Sequence, residues 1–420
     1  MADGISGRLT DHVALGVLTR TVPRYVVDEV VARSNSVEKR SRLLPAHVVV
    51  YFVLALSLFT DGYEEAIRKL VNGLRFARTW SSEWKVPTTG ALSQARARLG
   101  SEPMRRLFET VAVPIAKPGT PGAWLRNFRL MAIDGVMIDM PDTPENCAEF
   151  PKPQGGTRRP FPQTRIVGLT EIGAHAVLGI QIGTIHSGER ELAAPLTRLI
   201  EPDMLVIADR GFFSYELWRT YLQAGAQLLW RIAAGPRLPV LRVLPDGSYI
   251  SEVTNQERKS RTRIDASNID DIMLATHIPV RVVEYTVAKI DDEGESQSET
   301  FRIITSLLDP DVTADELART YHERWEIESA FREIENYLRQ GKGIRSKTPE
   351  LVRQEIYGLF TTHYAIRAFM SEAADTVEMD PDRLAFTRAL HIVRRRITDP
   401  AEFSPRKTTN PTAPRYRRNA

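Results

Sequence analysis

Cysteine is almost missing: Cys147 is the only one in 420 residues. That excludes an internal disulfide and any multi-cysteine zinc site, and it fits a reducing compartment. Long apolar runs are missing too. The longest, Ala46 to Phe59, has 14 residues including His47 and Ser57, too short to span a bilayer and better read as a buried helix. Met1 to Arg8 has no apolar centre, so no signal peptide is expected. No repeat with a period of about 20–50 residues occurs, which excludes solenoids and propellers.

What is present is an ordinary globular composition, 42% hydrophobic and 26% charged, long enough for two or three domains. Net charge is only +3, yet it is unevenly placed. From Arg394 to the end, eight Lys and Arg, among them Arg394, Arg395 and Arg396, face two acids, Asp399 and Glu402. This tail carries +6 and leaves −3 for the rest. A basic tail either binds phosphate backbones or keeps a protein in solution.

The first hundred residues read as helices. Thr21-Val22-Pro23-Arg24 is a predicted helix start with Thr21 as cap. A Pro-Thr-Thr turn at Pro87 leads into a short helix bearing Gln94, Arg96 and Arg98 and ended by Gly100. Gln and Arg are side chains that read base edges, so this helix is a candidate for a DNA groove. It also fits an exposed amphipathic helix. Pro118-Gly119-Thr120-Pro121-Gly122 reads as a linker.

Two apolar strands then each carry one acid. Phe128 to Gly135 contains Asp134, and Met204 to Gly211 ends in Asp209. An acid in an apolar strand is rare unless it is paired, metal-bound or at a strand end. Asp139, five residues beyond Asp134, falls on the opposite face by alternation, and Asp142 reads as turn chemistry. Between the strands lie a predicted hairpin joined at Gly173 and a helix from Glu191 to Ile200; His186 in its loop reads as structural or surface. Residues 235–299 read as an antiparallel insertion, with a hairpin signal at Pro245-Asp246-Gly247. The order strand, hairpin, helix, strand, helix, strand, insertion, helix fits an α/β, ribonuclease-H-like core. In that fold Asp134 and Asp209 meet on neighbouring parallel strands, at the carboxyl ends where ligands gather.

The helix after the insertion, Tyr321 to Glu335, is predicted to be continuous. Ile327, Phe331, Ile334 and Leu338 make its core stripe. Tyr321, Arg324, Trp325, Glu328, Arg332 and Glu335 share the next face, within about 100° of arc. On spacing alone, a solvated face laced by ion pairs explains it as well.

This helix resembles the signature of DDE transposases of the family named after insertion element four: Tyr, two residues, Arg, three residues, Glu, six residues, Lys. Tyr321, Arg324 and Glu328 match the spacing; Glu335 stands where the family has Lys, so no phosphate contact is carried onto it. Asp209-Arg210-Gly211-Phe212 resembles the family's second acidic motif, and the layout from Leu44 to Gly100 resembles its amino-terminal domain.

The resemblance implies a transposase that cleaves element ends and joins them to target DNA, in a bacterial, cytoplasmic, nucleoid-associated setting. Asp134, Asp209 and Glu328 would hold two Mg²⁺ ions, with Mn²⁺ able to substitute; hard oxygen ligands suit Mg²⁺, and paired ions clamp the attacking and leaving oxygens of a phosphoryl displacement. The implied partner is double-stranded DNA, bound by a homodimer, with no membrane. Arg210, Tyr321 and Arg324 become candidate DNA contacts. In hairpin-forming relatives one aromatic pushes a base from the stack and a second receives it; Phe301, where the family member has Trp, and Trp325 stand at those positions, although the strand context of Phe301 also fits packing under the insertion. The expected division is a helical DNA-binding domain (1–122), the core in two parts (123–234 and 300–375), the β insertion (235–299), and a C-terminal helix with its basic tail (376–420). Two alternatives stay open: a DNA-binding regulator that lost catalysis, and a metal-dependent nuclease without strand transfer.

Overall fold

A continuous buried apolar run, Leu130 to Ile133, anchors the strand on which the sheet is assembled. The computed structural model describes residues 17–37, 44–60, 62–64, 66–67, 87–153, 161–233, 238–255, 277–290 and 296–396. The strands are β1 (Trp124–Leu125), β2 (Phe128–Asp139), β3 (Gln163–Glu171), β4 (Ala176–Thr184), β5 (Met204–Ala208), β6 (Gln227–Arg231), β7 (Arg242–Val243), β8 (Tyr249–Thr254), β9 (His277–Ile290) and β10 (Ser296–Thr305). They form one sheet in the order β4-β3-β2-β5-β6-β10-β9-β8-β7, with β1 paired to β2.

The first five strands of that order are the ribonuclease-H-like core. β3 runs antiparallel to β2 and β4, whereas β2, β5 and β6 are mutually parallel. All five residues of β5 are buried, as befits a central parallel strand covered on both faces. The insertion does not stand apart. β10 pairs antiparallel with β6, Ile303 opposite Arg231, so the insertion prolongs the core sheet.

Helices enclose the sheet. In the amino-terminal part they are α1 (Val17–Thr21), α2 (Arg24–Arg33), α3 (Ala46–Leu58), α4 (Thr89–Leu99) and α5 (Glu102–Val111). Next come α6 (Pro144–Glu149), α7 (Glu189–Ala193) and α8 (Tyr215–Gln223), then α9 (Ala314–His322), α10 (Trp325–Arg332), α11 (Pro349–Thr376) and α12 (Phe386–Arg396). Helix α3 is the expected buried helix, with eleven of its residues buried. It packs on α11, as does α5. Gln354 of α11 donates to the carbonyls of Arg96 and Gly100, tying α4 to the same helix. No helix among the described residues is long and apolar enough to cross a membrane.

Three local expectations change. Pro23, not Thr21, occupies the cap position of α2, and no side chain caps it; Thr21 ends α1 instead. The helix expected from Glu191 to Ile200 is α7 followed by a 3₁₀ segment, Ala194–Leu199, because Pro195 has no N–H for a continuing α-helix. The helix expected to run unbroken from Tyr321 to Glu335 is broken twice. The amides of Arg324, Glu326 and Ile327 bond three residues back, at 3.2, 3.0 and 3.2 Å, overwinding the chain between α9 and α10. Beyond Arg332 a π segment, Glu333–Leu338, underwinds it.

Candidate active site

The register of two strands sets the site. Ile133 of β2 pairs with Ala208 of β5 in parallel, so Asp134 and Asp209 follow side by side at the carboxyl end of the sheet. Asp134 stands across from Gly168 of β3, and a Cβ on Gly168 would lie 3.2 Å from the Phe331 ring of α10. Cross-strand partners share a face, so Asp134 points toward the helix that carries Glu328.

Between these acids lies Arg324. Its Nη1 donates to Asp134 Oδ2 at 3.2 Å and its Nη2 to Glu328 Oε1 at 3.3 Å. The Tyr321 hydroxyl donates to Asp209 Oδ1 at 3.2 Å. The overwound turn thus aims Tyr321 and Arg324 at the two strand aspartates while Glu328 faces the same guanidinium. Arg324 Nε is buried and has no partner among the described residues. The Arg231 guanidinium, from the end of β6, stands 4.0 Å from Asp209.

Burial pushes the Asp134 carboxyl up to about 6; the Gly135 amide and Arg324 oppose this, while Glu328 and Glu189 reinforce it. Burial likewise raises the Tyr321 hydroxyl, and Asp209 adds to it, which keeps Tyr321 a neutral donor. The oxygens of Asp134, Asp209 and Glu328 do not all lie within 4.8 Å of one another. Arg324 and Tyr321 stand among them.

The remaining predicted contacts divide. Gln94, Arg98 and Arg210 are exposed, and Trp325 is 49% exposed with Arg324 5.0 Å from its ring centre. Arg96 is not available to a groove: it is fully buried. Its Nε donates to Gln354 at 2.7 Å, its Nη2 to Ser346 and the Leu351 carbonyl at 2.9 and 3.2 Å, and its Nη1 to the Tyr63 hydroxyl. Phe301 is not available to a base either. It is 6% exposed, stacked on Tyr285 at 5.4 Å and edged by Tyr321 and His322, with Arg231 4.2 Å from its centre. Its strand pairing drives the ring into the joint between insertion and core. Arg394 is half-buried and donates to the Leu58 carbonyl at 2.7 Å; Arg395 is exposed. The Arg396 side chain and the tail beyond it lie outside the described residues. Glu335, at the family's Lys position, is raised by burial, opposed by Arg339 and reinforced by Asp139.

Three features escaped the sequence: Arg231, Glu189, and a buried charge network behind α10. In the network His175 Nε2 meets Asp382 at 3.2 Å and also contacts Glu326, two residues from Glu328. Glu333 accepts from His363 at 2.9 Å and from Arg367 Nε at 2.8 Å. His175, Glu326 and Asp382 offer three ligand atoms within 4.8 Å of one another. Arg367 already contacts His175 and Glu333 there, and this guanidinium supplies the positive charge a metal ion would bring. We read the group as a clamp on the Glu328 helix.

Comparison with known proteins follows the same lines. Residues 126–364 match the model of the transposase DDE domain, and residues 12–109 that of the insertion element 4 transposase N-terminal region. The chain is 28% identical over 376 residues to the transposase InsG for insertion sequence element IS4 of Escherichia coli (strain K12), covering 88% of this chain and 80% of that one. It is 27% identical over 198 residues to the putative transposase InsZ of the same organism, over 46% of this chain and 63% of that one. Among solved structures it is similar to a cryo-EM structure of piggyBac transposase synaptic complex with hairpin DNA, with TM-score 0.46 and 10% identity over 94% of this chain and 82% of that one.

Proposed function

The chain belongs to the transposase DDE-domain family, and from that premise we propose that it cleaves the ends of an insertion sequence and joins them to target DNA at Asp134, Asp209 and Glu328. As a DNA transposase it is a DNA-processing enzyme of a metal-dependent class. The finer assignment is ours: Mg²⁺ as the cation, these three carboxylates as its holders, and double-stranded DNA with the element's terminal repeats as substrate.

The donor set fits a hard divalent cation. Three carboxylates near one another do not all remain ionised without a positive charge; the Asp134 carboxyl, raised mainly by burial and further by Glu328 and Glu189, would regain its charge beside a cation. When bound, paired divalent ions stabilise the charge that builds on the attacking and leaving oxygens of a phosphodiester. The chain's own residues do the rest. Tyr321 fixes the orientation of Asp209. Before the cation binds, Arg324 holds Asp134 and Glu328 together. The exposed face of Trp325 is free to stack on a base. Arg98 and Gln94 would read the end sequence and the basic tail would follow phosphates, so truncation at Arg394 should flatten the salt slope by roughly 3–5 for about three to six lost contacts.

The observation that carries the reading is the parallel register of Ile133 with Ala208, together with the Arg324 bridge from Asp134 to Glu328. The test is Mg²⁺-dependent cleavage of end DNA. Asp134→Asn, Asp209→Asn and Glu328→Gln should each abolish cleavage and strand joining while end binding persists. Double variants should be no worse than single ones, because a site missing one ligand has already failed. Appreciable cleavage by any one variant removes that residue from the site.

A further inference from the structure

Glu189 opens α7 and reaches the carboxyl end of the sheet from the face opposite α10. Gly135 follows Asp134 in β2, so its missing side chain would point to the other face. A Cβ there would stand 3.2 Å from Glu189 Oε1. A Cβ on Gly211, two residues after Asp209, would stand 3.4 Å from Glu189 Oε2. The carboxylate therefore sits in a notch between two glycines, each beside one of the strand aspartates. Arg190 Nε donates to the Gly211 carbonyl at 2.9 Å and fixes α7 against that turn. Among the described residues no hydrogen bond or ion pair is made by the Glu189 carboxylate, and its charge bears on Asp134.

We propose that Glu189 is a fourth carboxylate donor of the same centre, supplying an oxygen to the shell of the divalent cation beside Asp134. The inference rests on the reading of Asp134, Asp209 and Glu328 as the cation's holders. Charge favours it. Three carboxylates with Arg324 and Arg231 together carry −1, far short of the +4 of two divalent ions; Glu189 brings the set to −2. An acid held with no donor of its own between Gly135 and Gly211, each beside one of the strand aspartates, is placed for a cation; a Cβ at position 135, 3.2 Å from its oxygen, would make the carboxylate shift.

The test uses the full chain and Mn²⁺ alone, without DNA, with affinity read by electron paramagnetic resonance or calorimetry. Glu189→Gln should weaken Mn²⁺ binding by at least about 10-fold, the lower end of what losing even an outer-shell partner costs a metal site. Gly135→Ala, which crowds the carboxylate without deleting it, should weaken binding in the same direction. Glu191→Gln, an exposed acid of the same helix, should bind Mn²⁺ as the parent does. Thermal melting in EDTA identifies any variant that has lost its fold, and Gly135→Ala then decides the question. If Asp134→Asn weakens binding but Glu189→Gln and Gly135→Ala do not, Glu189 is outside the centre and only this inference fails. If Asp134→Asn leaves Mn²⁺ affinity unchanged, the three-acid reading fails first.

Discussion

Arg324 Nη1 donates to Asp134 Oδ2 across 3.2 Å, joining residues 190 positions apart in the chain. The Arg324 side chain is 8% exposed, and through Nη2 it also holds Glu328. One cation therefore ties the central strand to the helix that crosses it. The tie depends on a backbone irregularity, the overwound turn between α9 and α10.

Arg324 and a divalent cation should compete for the same oxygens. Arg324→Gln removes the protein's own cation and leaves Asp134 facing Glu328. In EDTA the variant should melt well below the parent, and saturating Mg²⁺ should return more of its stability than it adds to the parent. Cation at a hundred times its dissociation constant contributes about 2.7 kcal/mol, enough to be seen as a shift of several degrees. Equal Mg²⁺ responses in the two proteins would mean that guanidinium and metal use different ligands.

Arg96 and Arg98 lie two residues apart and should behave in opposite ways. Arg96 is buried and bonded to Gln354, Ser346, Leu351 and Tyr63, with Glu355 3.9 Å away. Arg96→Ala leaves those acceptors unpaired, at a cost of about 3–5 kcal/mol, and should lower the urea midpoint sharply. Arg98→Ala should leave the midpoint alone and reduce discrimination between end and random DNA by about 1–3 kcal/mol. A stable Arg96→Ala that loses only DNA discrimination would reverse the assignment.

The order of elements was legible because each core strand is a short apolar run bounded by breakers, and Asp134 and Asp209 stand out against such runs. Glu328 was legible through its spacing from Tyr321 and Arg324. Tyr321, Arg324 and Glu328 do meet beside the two strand aspartates, yet the helix under them is not continuous, since periodicity averages over a turn and does not register one overwound step. Arg96 failed for a different reason. A helix bearing Gln and Arg looks solvent-facing, and only the packing of α11 shows that one arginine points inward. Phe301 lies in a strand whose context favours packing under the insertion; only its correspondence to a base-flipping aromatic made it a candidate DNA contact. Glu189 gave no signal, because an acid just after a glycine at a helix start reads as ordinary charge complementarity with the helix end.

Phe301 and Trp325 should separate folding from DNA handling. Phe301 is enclosed by Tyr285, Tyr321, His322 and Arg231, so Phe301→Ala should destabilise by about 3–5 kcal/mol and lose first-strand nicking together with stability. Trp325→Ala removes an exposed ring and should keep the parent's melting temperature. Its effect should appear only in steps that need an unstacked base, where each stacking contact contributes about 1–3 kcal/mol. Phe301→Ala with parental stability, slowed hairpin formation and rescue by an abasic DNA end would restore the base-displacing role.

The clamp behind the Glu328 helix should make stability fall on the acid side. Burial tends to raise the Glu333 carboxyl, but His175, His363 and Arg367 outweigh it and hold the carboxyl well below the usual range. A depressed carboxylate contributes stability that is present above its unfolded value, about 4.3, and lost as pH falls toward the folded value. The slope from one such proton is about 1.4 kcal/mol per pH unit. The two histidines act in opposite senses. Burial and Arg367 would lower His175, yet its bonds to Glu326 and Glu333 raise it, so its contribution is lost as pH rises through its folded value. Burial lowers His363, so its contribution is lost as pH falls below the ordinary histidine value, and around pH 6.5 the two oppose each other. Urea midpoints measured from about pH 5 down to 2.5 should therefore drop more steeply for the parent than for Glu333→Gln. The variant, less stable at neutral pH because Arg367 has lost its anion, should approach the parent as pH falls. Parallel curves would show that Glu333 titrates as an ordinary carboxylate and that the clamp on the Glu328 helix is held by packing instead.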